Sequence, residues 1–291
     1  MKPSESHFHQ IRGLRYHVRT WGDTHAPKLF LLHGWMDMSA SFQFVVDSLE
    51  RDWHVIAPDW RGFGLTEWAP HGYWFPDYYA DLDVLLELYC PSHPVNLVGH
   101  SMGGNVACTY AGIRPQRIAR LISLEGFGAS RTRADDAPER YERWLAQLKN
   151  PPHLRSYDSF DAVAARMRKS NPRLAGDKAL FLAPHWAVET APGKIRLRSD
   201  PRHRLTNPVL SRLEELFACW RRITAPVLWV SGAQSTASGW REDSAQQFAQ
   251  RKSAFGDLSE TVLDECGHML HHDQPQRVAA LIEAFVRAGN P

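Results

Sequence analysis

Short apolar runs alternate with amphipathic stretches along the first 126 residues. "LRYHVRTWG" alternates apolar and polar positions, and with "HFHQI" across Arg12-Gly13 it predicts an antiparallel hairpin. "KLFLLHG", "HVIAPD", "VNLVGHS" and "IARLISLEG" are continuous apolar runs that close on turn residues, the mark of strands buried on both faces. Between them, Phe42, Val45, Val46 and Leu49 fall on one helical face. So do Tyr78, Leu82, Leu85, Leu86 and Tyr89, and "MGGNVACTYAGI" predicts a third helix. Strands alternating with helices at this spacing predict an α/β fold with a largely parallel sheet.

From Phe127 the alternation stops and helical stripes take over. Tyr141, Trp144, Leu145 and Leu148 form one, Phe160, Val163, Ala164 and Met167 a second, and Leu210, Leu213, Phe217 and Trp220 a third. The stretch from Gly193 to Pro208 reads as mostly irregular. The α/β pattern returns with "VLWVSG", a helix near 241–251, the strand "ETVLD", and a closing helix with Pro275 in its first turn and Val278, Leu281, Ile282 and Phe285 facing inward. We therefore expect a core in two parts, 1–126 and 224–291, and a helical cap, 127–223. The cap should lie over the carboxyl edge of the sheet, where open α/β folds bind ligands.

Composition changes this picture little. The formal net charge of +2 favours neither nucleic acid nor membrane as a partner. Residues 127–223, however, hold 19 Lys+Arg against 11 Asp+Glu, leaving acidic flanks. Such a basic block suits either a solvated face or anionic substrates. Cys90, Cys108, Cys219 and Cys266 have no paired spacing and are read as free thiols. Neither a leader-like segment nor a run of membrane-spanning length is present, so the expected location is cytoplasmic.

The sharpest chemical signal is "VNLVGHSMGGN", in which Gly99-His100-Ser101-Met102-Gly103 fits G-x-S-x-G with a strand before it and a helix after it. A turn this tight needs small residues on both sides and pushes the serine oxygen outward. The next helix aims its free N–H groups at the same point.

Three further segments, "LLHGW", "APDWRGFGLT" and "DECGHMLHHDQP", complete a resemblance to the α/β-hydrolase fold family that takes in nearly the whole chain. "RSDP" is similar to serine-hydrolase-like members. The resemblance implies a nucleophile at Ser101, a base at His268, and an oxyanion hole built from the backbone N–H groups of Trp35 and Met102. It implies a bracing role for Asp59, Arg61, Gly62 and Gly64. Relatives that open haloalkanes or epoxides use aspartate at the elbow; Ser101 points instead to acyl transfer. His271 and His272 with Asp273 invite a metal reading, but no carboxylate-rich partner segment accompanies them. We expect no metal and no cofactor, and read His33 and His100 as packing groups.

The triad's acid is missing from its usual place. Most of the family carry it just after the strand that "VLWVSG" represents, and there this chain has Gln234-Ser235. Three alternatives stand: a non-catalytic member of the family, a later acid (Glu242 or Asp243), or Glu125 at the end of the neighbouring strand. Some haloalkane-dehalogenase relatives carry their acid at that strand end. We favour Glu125, and expect a serine hydrolase for a small to medium ester or thioester. A pocket lined by Trp35, Tyr141, Trp144, Phe181 and Trp186 should receive it. A ligand-binding sensor on the same scaffold, a lactonase, a carbon–carbon bond hydrolase and a perhydrolase remain open.

Overall fold

The computed structural model describes residues 1–129, 131–235 and 245–287. An eight-stranded sheet forms its centre. The strands are β1 (Ser4–Ile11), β2 (Leu14–Trp21), β3 (Lys28–Leu32), β4 (His54–Pro58), β5 (Val95–His100), β6 (Ile118–Leu124), β10 (Val227–Gly232) and β11 (Leu258–Leu263), with three short strands between β6 and β10 lying outside this sheet. Their spatial order is β1-β2-β4-β3-β5-β6-β10-β11. The β1–β2 hairpin turns at Arg12-Gly13, β2 pairs antiparallel with β4, and the remaining pairings are parallel.

Side-chain alternation explains why the central runs are continuously apolar. In β10, Val227 and Trp229 enter one core cluster and Leu228 and Val230 the other; in β3, Phe30 and Leu32 oppose Leu29 and Leu31. The first cluster is covered by α2 (Phe75–Tyr89), α3 (Met102–Ile113) and α7 (Leu213–Trp220). The second is covered by α1 (Gln43–Asp47) and α10 (Pro275–Arg287), whose Val278 and Ile282 are buried. Of the helix expected near 241–251, the structure describes α8, Ala245–Lys252.

Residues between β6 and β10 form the insertion. It contains α4 (Ala137–Lys149), α5 (Phe160–Ser170) and α6 (Gly176–Trp186), with a small sheet of β7 (Ser156–Tyr157), β8 (Ala187–Ala191) and β9 (Lys194–Leu197) in the order β7-β9-β8. The expectation of an irregular stretch from Gly193 to Pro208 is corrected here: it holds β9 and a 3-10 turn, Pro201–Arg204. In β9, Lys194 and Arg196 alternate with Ile195 and Leu197, both buried. The insertion is docked through a third cluster, in which Met38, Ala40 and Phe44 pack with Val163, Met167, Leu174 and Leu182. The stripe on α7 faces the other way, toward α3, so closely that a Cβ on Gly112 would fall 1.9 Å from the Cys219 carbonyl oxygen.

Candidate active site

Ser101 links β5 to α3 at φ 51° and ψ −115°, a backbone conformation that L-residues rarely adopt. Two neighbours leave no room for a side chain. A Cβ on Gly99 would lie 2.4 Å from the Gly103 carbonyl oxygen, and one on Gly103 would lie 2.2 Å from that of Leu32. The turn closes because both are glycine. Ser101 N–H donates to Leu124 O at 2.8 Å, fastening the elbow to the end of β6.

The next residue on that strand is Glu125, also at positive φ (56°) and 2% exposed. Its main-chain N–H donates to Val230 O on β10 at 2.9 Å. The side chain then reaches across the end of β10. Oε1 accepts from Gly232 N–H (2.8 Å), and Oε2 accepts from the Ser235 hydroxyl (2.6 Å) while facing His268 Nδ1 at 3.1 Å. A carboxylate can only accept, so Nδ1 carries the ring proton and Nε2 is left with its lone pair. Glu242 and Asp243, the alternative acids, lie outside the described residues.

His268 is held from its other side. Its main-chain carbonyl accepts from His100 Nε2 at 2.8 Å, which fixes His100 as the Nε2–H tautomer. Burial, with the neighbouring histidines, pushes His100 well below the usual histidine range and keeps it neutral. His33 is fixed in the opposite tautomer. Nδ1–H donates to Gly34 O at 2.7 Å, and Nε2 accepts from Trp60 N–H at 2.8 Å. Both histidines pack and hydrogen-bond at the sheet edge.

The turn after β4 braces these loops. Asp59 accepts from Ser39 N–H (2.6 Å), Leu65 N–H (2.9 Å) and His17 Nδ1 (2.7 Å); despite its burial these partners hold it well below the usual carboxylate range. Arg61 makes a two-point contact with buried Asp81, both bonds at 2.6 Å.

The structure separates the residues that suggested a metal. Asp273 is spent on Gly267 N–H (2.8 Å) and Asn171 (2.8 Å). His271 and His272 instead share the Ser41 hydroxyl, at 2.9 and 2.7 Å. Among the described residues, the group that could hold an ion is Asp37, His100 and His271, all buried, with one donor atom of each within 4.8 Å of the others. Asp37 was invisible to sequence reasoning because it meets His271 only through the tertiary fold.

Two cavities meet at Ser101, and Trp35, its side chain half exposed, lines both. The first, about 670 Å³, runs beneath α4 and is walled by Tyr73, Trp74, Phe75, Tyr78 and Trp144. The second, about 530 Å³, contains His268, His100, Met167 and Trp186. Trp186 also donates to Met36 O at 2.6 Å, tying the cap to the loop after β3. Two of the expected pocket aromatics lie elsewhere. Tyr141 is half exposed on α4, and Phe181 packs edge-on against Phe44 at 5.7 Å.

The comparisons agree with this architecture. The family model described as the α/β hydrolase fold matches residues 27–275. The serine hydrolase-like protein of Danio rerio is 25% identical over 287 residues, 94% of this chain and 85% of the relative. The 3-hydroxybutyrate-oligomer hydrolase of Cupriavidus necator is 26% identical over 293 residues, 96% and 94% of the two chains. Among solved structures, a thioesterase domain from the curacin biosynthetic pathway superposes with a TM-score of 0.84 at 23% identity, covering 97% of this chain and 99% of that one. No described helix is long and apolar enough to cross a membrane.

Proposed function

The chain belongs to the α/β-hydrolase fold family, and on that premise we propose that it is a serine hydrolase that cleaves an ester or thioester through an acyl-enzyme on Ser101. The observation that carries this reading is the contact between Glu125 Oε2 and His268 Nδ1 at 3.1 Å. On this reading it supplies the acid that Gln234 and Ser235, in the usual place after β10, do not. With Nδ1 held by Glu125, His268 Nε2 is the nitrogen left to take the proton of Ser101, which lines the same cavity.

Ser101 Oγ attacks the acyl carbonyl as His268 Nε2 takes its proton. Charge builds on the carbonyl oxygen, where the Trp35 and Met102 N–H groups stabilise it. The carbon–oxygen or carbon–sulfur bond then breaks, and His268 returns the proton to the departing alcohol or thiol. Water, deprotonated by the same nitrogen, releases the acid and restores Ser101. Glu125 stays ionised throughout and stabilises the imidazolium. Serine at the elbow supports this chemistry over epoxide or haloalkane opening. The names of the relatives, an oligoester hydrolase and a thioesterase domain among them, support acyl chemistry as the class. On this reading residues 127–223 act as the cap that bounds the substrate site.

The test is a fluorophosphonate probe with a panel of p-nitrophenyl esters and acyl thioesters of graded length. Stoichiometric labelling and turnover, both lost in Ser101→Ala, are the expected result. Labelling that survives in the variant would end the proposal.

A further inference from the structure

The cavity on the His268 side carries a charge pattern that ester cleavage alone does not require. Three guanidinium groups line it from three separate segments: Arg155 just before β7, Arg166 on α5, and Arg204 at the end of the 3-10 turn. Each is exposed, and among the described residues none has a carboxylate within ion-pair distance. Arg166 donates to the Ser170 hydroxyl at 2.5 Å, and Arg155 lies 5.7 Å from the Tyr157 ring centroid. The one acidic residue in that lining, Asp37, is buried beside His271 at 3.6 Å. The other cavity differs: its arginine, Arg202, is paired with Asp200 at 2.7 Å, and its wall is aromatic.

Which part of a substrate enters which cavity follows from the chemistry. The atom that leaves must lie against the histidine that protonates it. His268 lines the basic cavity and not the aromatic one. We infer that the substrate joins an apolar acyl group, held in the aromatic cavity, to an alcohol or thiol bearing a carboxylate or phosphate, held by Arg155, Arg166 and Arg204. This rests on the serine-hydrolase reading above. The basic block in the sequence thus has a use beyond solvation: three of its charges converge on a concave, partly desolvated space, where a common sign of charge concentrates anions.

The experiment uses matched pairs. One arm compares the phenylacetyl ester of 3-hydroxypropanoate with that of methyl 3-hydroxypropanoate. The other compares S-phenylacetyl-4′-phosphopantetheine with S-phenylacetyl-pantetheine. Three exposed charge pairs acting together predict about a tenfold preference in kcat/KM for the anionic member at low salt, shrinking as salt rises. The arm with the larger preference identifies the source of the anion. In the combined Arg155→Gln, Arg166→Gln, Arg204→Gln variant the ratio should fall to about one. The corresponding Glu variant should favour phenylacetylcholine over both neutral esters. A merely structural role would lower all rates together and leave the ratios in place. Equal rates within both wild-type pairs would overturn the inference while leaving p-nitrophenyl ester turnover, and so the serine-hydrolase reading, intact. If no ester is turned over, calorimetry on Ser101→Ala still decides. About tenfold tighter binding of 3-hydroxypropanoate or phosphopantetheine than of its neutral partner supports the inference, and equal binding overturns it.

Discussion

The Ser235 hydroxyl donates to Glu125 Oε2 at 2.6 Å, so the residue occupying the place of the usual acid is hydrogen-bonded to the acid proposed to replace it. The Glu125 carboxylate thus reaches the space beyond β10 that an aspartate at 235 would fill. The glutamate's origin has moved one strand over.

That relationship predicts an ordering among variants. Glu125→Gln can present an N–H to His268 Nδ1 and favour the wrong tautomer, and by analogy with an asparagine replacement in a serine protease, turnover should fall by up to about 10⁴. Ser235→Ala removes one neutral donor from a carboxylate that keeps Gly232 N–H, so its cost should be a few-fold. Adding Ser235→Asp to Glu125→Gln should recover part of the loss. Steady-state kinetics on one good ester checks all three; a harmless Glu125→Gln would reject the assignment.

Backbone strain at the elbow gives a second prediction. A non-glycine residue at φ 51°, ψ −115° stores on the order of 1–3 kcal/mol. Ser101→Gly should therefore abolish turnover and raise Tm by a few degrees, at about 2–4 °C per kcal/mol for a chain of this size. Ser101→Ala, which keeps the Cβ, should abolish turnover without that gain. Scanning calorimetry on the three proteins separates the two.

Crowding at Gly103 predicts the reverse. Its Cβ would meet the Leu32 carbonyl oxygen at 2.2 Å, and backbone cannot rotate away as a side chain can. Gly103→Ala should displace α3 from β3, with loss of fluorophosphonate labelling and a lowered urea midpoint. Gly256→Ala, where nothing lies within 4 Å, is the control and should leave labelling unchanged.

The buried histidines set the acid limit of the fold. Burial holds both His272 and His203 down at about 3, the latter stacked between Phe63 and Tyr73 at 3.8 and 3.6 Å. The unfolded chain protonates these rings near pH 6.5 and the folded one does not until about pH 3. Their contribution is thus complete above pH 6.5 and declines as pH falls from there toward 3, by about 1.4 kcal/mol per pH unit for each ring. Urea unfolding between pH 7 and pH 4 should show at least that slope, with buried His100 adding to it, and the slope should fall by one proton in His272→Gln.

Much of this molecule was readable along the chain, because its signals are local. Gly99 to Gly103 carry the elbow in five residues, and the continuous apolar runs are what a sheet covered on both faces requires. Glu125 was readable as a candidate for the same reason: a strand pattern ends at Leu124 and the next side chain is an acid. The cap was harder. β7 and β9 are two and four residues long, too short for periodicity to register, and α6 carries Pro184 inside it. The group of Asp37, Ser41 and His271 has no signal at all in one dimension, since more than 220 residues separate its two ends and only folding joins them. The convergence of Arg155, Arg166 and Arg204 on one cavity was hidden likewise. In sequence they are three members of a diffuse basic segment.

Glu125 is also the point at which the chain leaves the sheet for the cap. Where the acid follows β10, its position is set by the core alone, and a cap can be exchanged or deleted without touching it. Here the proposed acid and the entry to the cap are adjacent residues, and a Cβ on Gly126 would meet Gly104 Cα and the Ser101 carbonyl oxygen, each at 2.7 Å. On the proposed reading, a displacement of residues 127–223 would act first on the neighbour of the group that holds His268 Nδ1. If residues 127–223 bound the substrate and His268 transfers the proton as proposed, the two roles share one pivot, and an exchange of lids between relatives is expected to keep a working base only where the first residues after Leu124 are preserved.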